Sequence, residues 1–280
     1  MKRADEVDYK IIGHEMQFVE VELDPGESIV AEAGAMMYKD SCIQMDTIFG
    51  DGSAKESDSF LGRLLGAGKR VLTGESMFIT VFTHRGKGKA KVSFSAPYPG
   101  NIIPVSLEKL GGTLICQKDS FLCAAKGVSI GIHFQRKIMT GLFGGEGFIM
   151  QKLEGDGMAF IHAGGTLVEK ELRTDEELHV DTGCLVAFEP TVNFDIIRAG
   201  NIKTSFLGGE GFFLAHLKGP GKVWLQSLPF SRLVGRIQAA MPPTPLNAGD
   251  GSFGSNAAKV VTGGAILGGI GSLFDNNDDD

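Results

Sequence analysis

Six histidines, His14, His84, His133, His162, His179 and His216, are the side chains of this 280-residue sequence best suited to metal binding. A cupin-type metal site takes two histidines two apart on a strand with a carboxylate nearby. No His-x-His or His-x-x-x-His pair occurs, and the nearest grouping is His179 with Asp181. Spacing therefore favours surface or strand-end histidines, and no metal ligand is expected.

Other chemistries fare no better. The runs Gly144-Gly145-Glu146-Gly147 and Gly208-Gly209-Glu210-Gly211 suggest a phosphate cradle. A P-loop, however, ends in Lys-Ser/Thr and opens a helix, whereas an apolar strand-like run follows here. The recurrent Glu75, Glu146 and Glu210 suit a turn hydrogen bond repeated in each copy better than an acid pair, which must approach within about 10 Å. No Gly-x-Ser-x-Gly elbow occurs. Cys116, Cys123 and Cys184 lie in strand-like settings that suit small core residues, and Cys42 completes a set of four cysteines without a CxxC pair. The expectation is a protein with no catalytic residue and no cofactor.

Composition narrows the class further. The chain is 42% hydrophobic with net charge −7, of which the last forty residues contribute −4 through Asp250, Asp275, Asp278, Asp279 and Asp280 against Lys259. Basic runs are short, at Arg63 to Arg70 and Arg85 to Lys91, so nucleic acid is not an expected partner. No window holds about 18 unbroken apolar residues. The start Met1-Lys2-Arg3-Ala4-Asp5-Glu6 lacks an apolar signal region, and a cytoplasmic setting is expected.

Forty glycines punctuate the chain and reveal three copies of one pattern. Gly144-Gly145-Glu146-Gly147-Phe148 returns 64 residues on as Gly208 to Phe212, with a degenerate copy at Gly74-Glu75-Ser76-Met77-Phe78. An apolar run, a glycine turn (86–88, 155–157, 219–221) and a second apolar run follow each, which reads as a β-hairpin. Upstream, Val19 to Leu23 corresponds to Ile103 to Leu107 and Val168 to Leu172. Period two there predicts Val19, Val21 and Leu23 buried with Glu20 and Glu22 outward. Gly34 to Tyr38, Ser120 to Ala124 and Gly183 to Ala187 make a third set. The reading is all-β, with repeats at about 17–100, 101–165 and 166–230 of five or six strands each. They form one pseudo-threefold domain over 1–240 with a shared core.

The ordered glutamate–glycine motifs, the stretch from Met45 to Ser76 and the ending Trp224-Leu225-Gln226-Ser227 resemble the mitochondrial-biogenesis family named for altered inheritance of mitochondria, in its bacterial branch. The resemblance covers about residues 8–238. It implies a fold like that of the tryptophan RNA-binding attenuation protein, with three related units in one chain, and oligomers. It implies no activity, and the attenuation protein's ligand sites do not carry over with a fold. Eukaryotic relatives are associated with mitochondrial inner-membrane organisation.

Two segments fall outside the repeats. Residues 58–72 place Leu61, Leu64, Leu65 and Leu72 at roughly helical spacing beside Arg63, Lys69 and Arg70. Such a segment packs on its own body, covers a neighbouring subunit, or makes peripheral contact with an anionic membrane. After Met241-Pro242-Pro243 the sequence reads as a glycine-rich, acidic, flexible tail over 241–280. Together these features predict a non-catalytic homo-oligomer that binds or scaffolds, linked to membrane organisation. The alternative is a small-ligand or carbohydrate-binding β protein using clefts between repeats.

Overall fold

The computed structural model describes residues 4–49, 78–136, 147–198 and 213–241. The 50–72 insertion, the loops bearing Glu75, Glu146 and Glu210, and the chain after Met241 lie outside the described residues.

The architecture is all-β. After β1 (Asp8–Ile12) come β2 (Phe18–Leu23), β3 (Ser28–Glu32), β4 (Met36–Lys39), β5 (Ile43–Phe49), β6 (Phe78–His84) and β7 (Ala90–Ser95). The next stretch holds β8 (Gly100–Ser106), β9 (Thr113–Gln117), β10 (Phe121–Ala125), β11 (Ser129–Arg136), β12 (Phe148–Glu154) and β13 (Met158–Gly164). The last holds β14 (Leu167–Leu172), β15 (Glu177–Asp181), β16 (Leu185–Phe188), β17 (Asn193–Arg198), β18 (Phe213–Lys218), β19 (Gly221–Gln226) and helix α1 (Phe230–Ala240). Four antiparallel sheets result, ordered β1-β2-β7-β4, β5-β6-β3-β10-β13-β8, β11-β12-β9-β16-β19-β14 and β15-β18-β17.

Alternation in β2 works as its sequence predicts. Val19, Val21 and Leu23 are fully buried, while Glu20 and Glu22 point outward to Lys91 at 2.7 Å and Lys89 at 2.6 Å. The glycine turns do something other than expected. β6 and β7 lie in different sheets, as do β12 and β13, and β18 and β19. Each of these strands is flanked on both edges by other strands, so none has an edge left for a hairpin partner. The turns are therefore arches that carry the chain from one sheet to another, and the expected hairpins are corrected to corners between sheets.

The core likewise differs from a single shared one, because it divides into three layers. Val19, Leu23, Ile29, Phe82, Phe94 and Phe160 form one between the first and second sheets. Val30, Val81, Ile103, Leu114, Leu153 and Trp224 form the next, between the two six-stranded sheets. Phe148, Leu185, Phe188, Ala215 and Leu217 belong to the third. The two middle sheets are thus apolar on both faces, which is why all of β10, Phe-Leu-Cys-Ala-Ala, is buried without alternation.

Where chain segments connect one stretch to the next they stack on one another. Gly100 N–H donates to Glu15 O at 2.7 Å, Gly165 N–H to Pro99 O at 2.9 Å and Leu228 N–H to Gly164 O at 3.1 Å. The approach is close enough that a Cβ at Gly100 would stand 2.1 Å from Ala163 O, and one at Gly164 2.2 Å from Leu228 O. Glycine is required there for space.

Phe94 is fully buried and meets Phe82 edge to face, with ring centroids 5.2 Å apart. Phe94→Ala is expected to lower the unfolding free energy by about 3–5 kcal/mol in urea titration; a loss below about 1 kcal/mol would mean that the first layer is not packed as described.

Candidate functional site

The six histidines do not gather at one place, and only His179 and His216 meet. His14 and His133 are exposed and His84 is fully buried. His84 Nδ1 accepts from Gly86 N–H at 3.2 Å and its Nε2 lies 2.8 Å from Gly88 O, so the ring ties down the turn that follows β6. His179 and His216 face one another across β15 and β18 with ring centroids 5.0 Å apart, and Glu177 Oε2 is 3.2 Å from His216 Nε2. Among the described residues no group of three or more His, Cys, Asp or Glu is placed to hold a metal ion. Cys116 and Cys123 are fully buried strand residues whose thiols burial pushes up, that of Cys116 to about 12. Cys184 is half-buried and ends a 3-10 turn, Thr182–Cys184, rather than lying in a strand.

One polar cluster is buried. His162 on β13 is 1% exposed and lies edge to face with Tyr98, ring centroids 4.5 Å apart. Neither of its ring nitrogens has a hydrogen-bond partner. Gln226 holds the matching rung on β19, opposite Leu167 as His162 is opposite Ile102. Gln226 accepts from Gly164 N–H and donates to Gly183 O, both at 2.7 Å. The residue three before Ile102 is Pro99, which has no N–H to offer. Desolvation lowers the His162 imidazole to about 4, and the nearby Tyr98 backbone offsets part of that penalty without making a bond of good geometry. Burial, with the Asp119 carboxylate beside it, raises the half-buried Glu32 carboxyl to about 7. Burial also raises the Tyr98 hydroxyl, with Asp119 and Glu32 contributing.

The surface holds a different kind of site. β1 covers the outer edge of β2 and brings Asp8 and Lys10 with it. Three other outer edges are blunted, by Pro104 in β8, by an irregularity between Ile132 and Phe134 in β11, and by Glu169, Lys170 and Glu171 in β14. β4, at the end of its sheet, presents Met36, Met37 and Tyr38, which are 37%, 55% and 39% exposed. The Tyr38 hydroxyl donates to Glu20 Oε2. The corresponding residues of β10, Phe121, Leu122 and Cys123, are at most 2% exposed, and those at the start of β16, Leu185, Val186 and Ala187, are fully buried. All three strands carry the same register irregularity, between Met36 and Tyr38, Phe121 and Cys123, and Leu185 and Ala187.

Helix α1 is the element that sequence reading missed. Pro229 precedes it, and Leu233, Val234 and Ile237 follow at helical spacing. Its start is anchored by Phe230 against Tyr98 at 5.3 Å and by Arg232 Nη2 at 3.4 Å from Asp181 Oδ2. Phe230, Ile237 and Met241 remain 43%, 50% and 63% exposed.

A body of stacked antiparallel sheets defines a class of β protein rather than an activity. The chain belongs to the mitochondrial biogenesis AIM24 family, whose model matches residues 9–228. It is 29% identical over 238 residues to an uncharacterized protein of Streptococcus pyogenes serotype M6, covering 82% of this chain and 90% of that one. A crystal structure of a Streptococcus pyogenes protein has the same fold at a TM-score of 0.67 and 23% identity, over 84% of this chain and 100% of that one.

The buried imidazole leaves a signature in stability. Its folded value of about 4 is below the ordinary 6.5, so between those values the unfolded chain binds the extra proton and stability falls as pH falls. Glu32 acts with the opposite sign, since its folded value is raised. His162→Phe is therefore expected to remove a pH dependence of up to about 1.4 kcal/mol per unit, read as the difference in urea midpoint between variant and parent at pH 7 and pH 5. Parallel pH profiles for the two chains would contradict the unpartnered ring.

Proposed function

We propose that this chain is a non-catalytic, self-associating scaffold built of three copies of one six-stranded unit of the tryptophan RNA-binding attenuation protein type. The units would be β2 to β7, β8 to β13 and β14 to β19. What supports this is strand order: β2-β7-β4, β8-β13-β10 and β14-β19-β16 repeat one ladder, and β5-β6-β3, β11-β12-β9 and β17-β18-β15 repeat another. The observation that carries self-association is the exposure of Met36, Met37 and Tyr38 at positions whose counterparts are covered by a neighbouring unit. An apolar edge of this kind calls for another strand, and the same irregularity in β10 and β16 does not stop β3 and β9 from pairing there. Light scattering on the full chain is expected to give a discrete oligomer, and Met37→Asp, which adds charge at an exposed site, to reduce it to monomer with unchanged circular dichroism. A parent chain that is monomeric at all concentrations would overturn the reading.

Peripheral membrane contact is a second reading, which helix α1 favours. It carries Arg232 and Arg236 and no acidic residue, and one side of it leaves Phe230, Ile237 and Met241 exposed. That is the pattern of a helix lying at an anionic interface. Co-sedimentation with vesicles containing anionic lipid is expected, with at least a fivefold loss on Ile237→Asp; binding that is absent, or indifferent to this change, would dispose of it.

A further inference from the structure

In the sheet β15-β18-β17 side chains alternate between the core and the outer face. Val180, Ala215, Leu217 and Ile196 belong to the third core layer. That leaves Glu177 and His179 on β15, His216 and Lys218 on β18, and Asp195 on β17 facing outward. One rung of the ladder sets His179 opposite His216, and His216 opposite Asp195. The two imidazoles come from different strands, so spacing along the sequence does not show them as a pair.

We infer that His179 and His216 together bind a divalent transition ion of the copper, nickel or zinc type. The spacing of the rings fits one shared ion. A ligating nitrogen stands about 2.0–2.1 Å from such an ion and its ring centre about 1.2 Å further, so two imidazoles at bond angles of about 90–110° have centres about 4.5–5.3 Å apart. Antiparallel pairing already holds these two centres at 5.0 Å. The rings meet at 74° and His179 is exposed, so binding needs a turn of that side chain and no movement of backbone. Glu177 supports the site from the neighbouring rung. Its Oε2 lies 3.2 Å from His216 Nε2. A carboxylate accepts, so Nε2 carries the proton and Nδ1 keeps its lone pair for the ion. Lys218, the next outward residue on β18, brings a like charge, which Asp175 at 3.0 Å and Glu177 at 3.6 Å offset. Nitrogen donors select against calcium and magnesium, which take oxygen ligands. Among the described residues no third protein ligand is placed beside the pair; water takes the remaining positions, and the ion is held reversibly. Both imidazoles belong to one chain, so the site does not rest on the self-association proposed above.

Copper(II), the ion that imidazole sites bind most tightly in the first-row divalent series, tests the site on the tag-free full chain. Electron paramagnetic resonance at equimolar copper is expected to show one ion per chain with two coordinated imidazole nitrogens. His179→Asn and His216→Asn should each leave one nitrogen and weaken binding at least tenfold in calorimetric titration. Glu177→Gln should keep both nitrogens and weaken binding about tenfold, as loss of a supporting carboxylate does. His14→Asn and His133→Asn, at the other exposed histidines, should change neither readout. A parent spectrum with fewer than two imidazoles would overturn the site without recourse to any variant. So would two nitrogens that persist after loss of His179 or of His216.

Discussion

The pairing of β3 with β10, and of β9 with β16, is the contact from which the rest of the molecule follows. Each joins two three-stranded ladders into a sheet of six strands that has a core layer on either face. A strand buried on both faces can carry no charge. That condition accounts for the wholly apolar run Phe121-Leu122-Cys123-Ala124-Ala125 with Ala31 opposite Cys123, and for Cys116 opposite Ala187 in the next sheet. Polar groups are displaced to the ends of these strands, where Glu32 sits half-buried with its carboxyl held in the neutral direction and Gln117 and Ser120 are almost fully covered.

Stacking the sheets also governs the turns. A chain that must leave the centre of one ladder and enter the centre of another needs a corner, and the glycines at 86, 88, 155, 157, 219 and 221 supply it. At Gly155 and Gly221 the backbone takes φ of 145° and 139°, which side-chain-bearing residues rarely adopt. His84 anchors one such corner through its two ring nitrogens, so a residue that looks like a ligand is spent on shape.

Much of this was legible in the sequence, and the failures have physical causes. Alternation announced β2, because burial of one face writes itself into a local pattern. Apolar runs flanking a glycine turn read equally well as a hairpin or as an arch. Only the partners on both edges of each strand, many residues away, decide between them. Helix α1 escaped because three strong strand patterns set the expectation, although Leu233, Val234 and Ile237 carry the helical period. The open edge at β4 was visible as Met36-Met37-Tyr38, but its meaning required knowing that Phe121 and Leu185 are covered at the same place. The buried state of His162 had a trace in the proline at 99, which withholds the donor that Gly164 gives to Gln226.

The junction between β3 and β10 also orders events at the ribosome. β3 is complete by residue 32, but the strand that covers its free edge ends at residue 125. Throughout synthesis of the intervening segment the nascent chain presents Ile29, Val30 and Ala31 along an open strand edge, and β9 waits in the same way for β16. Crowded polysomes would bring such edges from neighbouring nascent chains together. The interval between the two halves of each junction is thus one in which an apolar strand edge has no partner within its own chain.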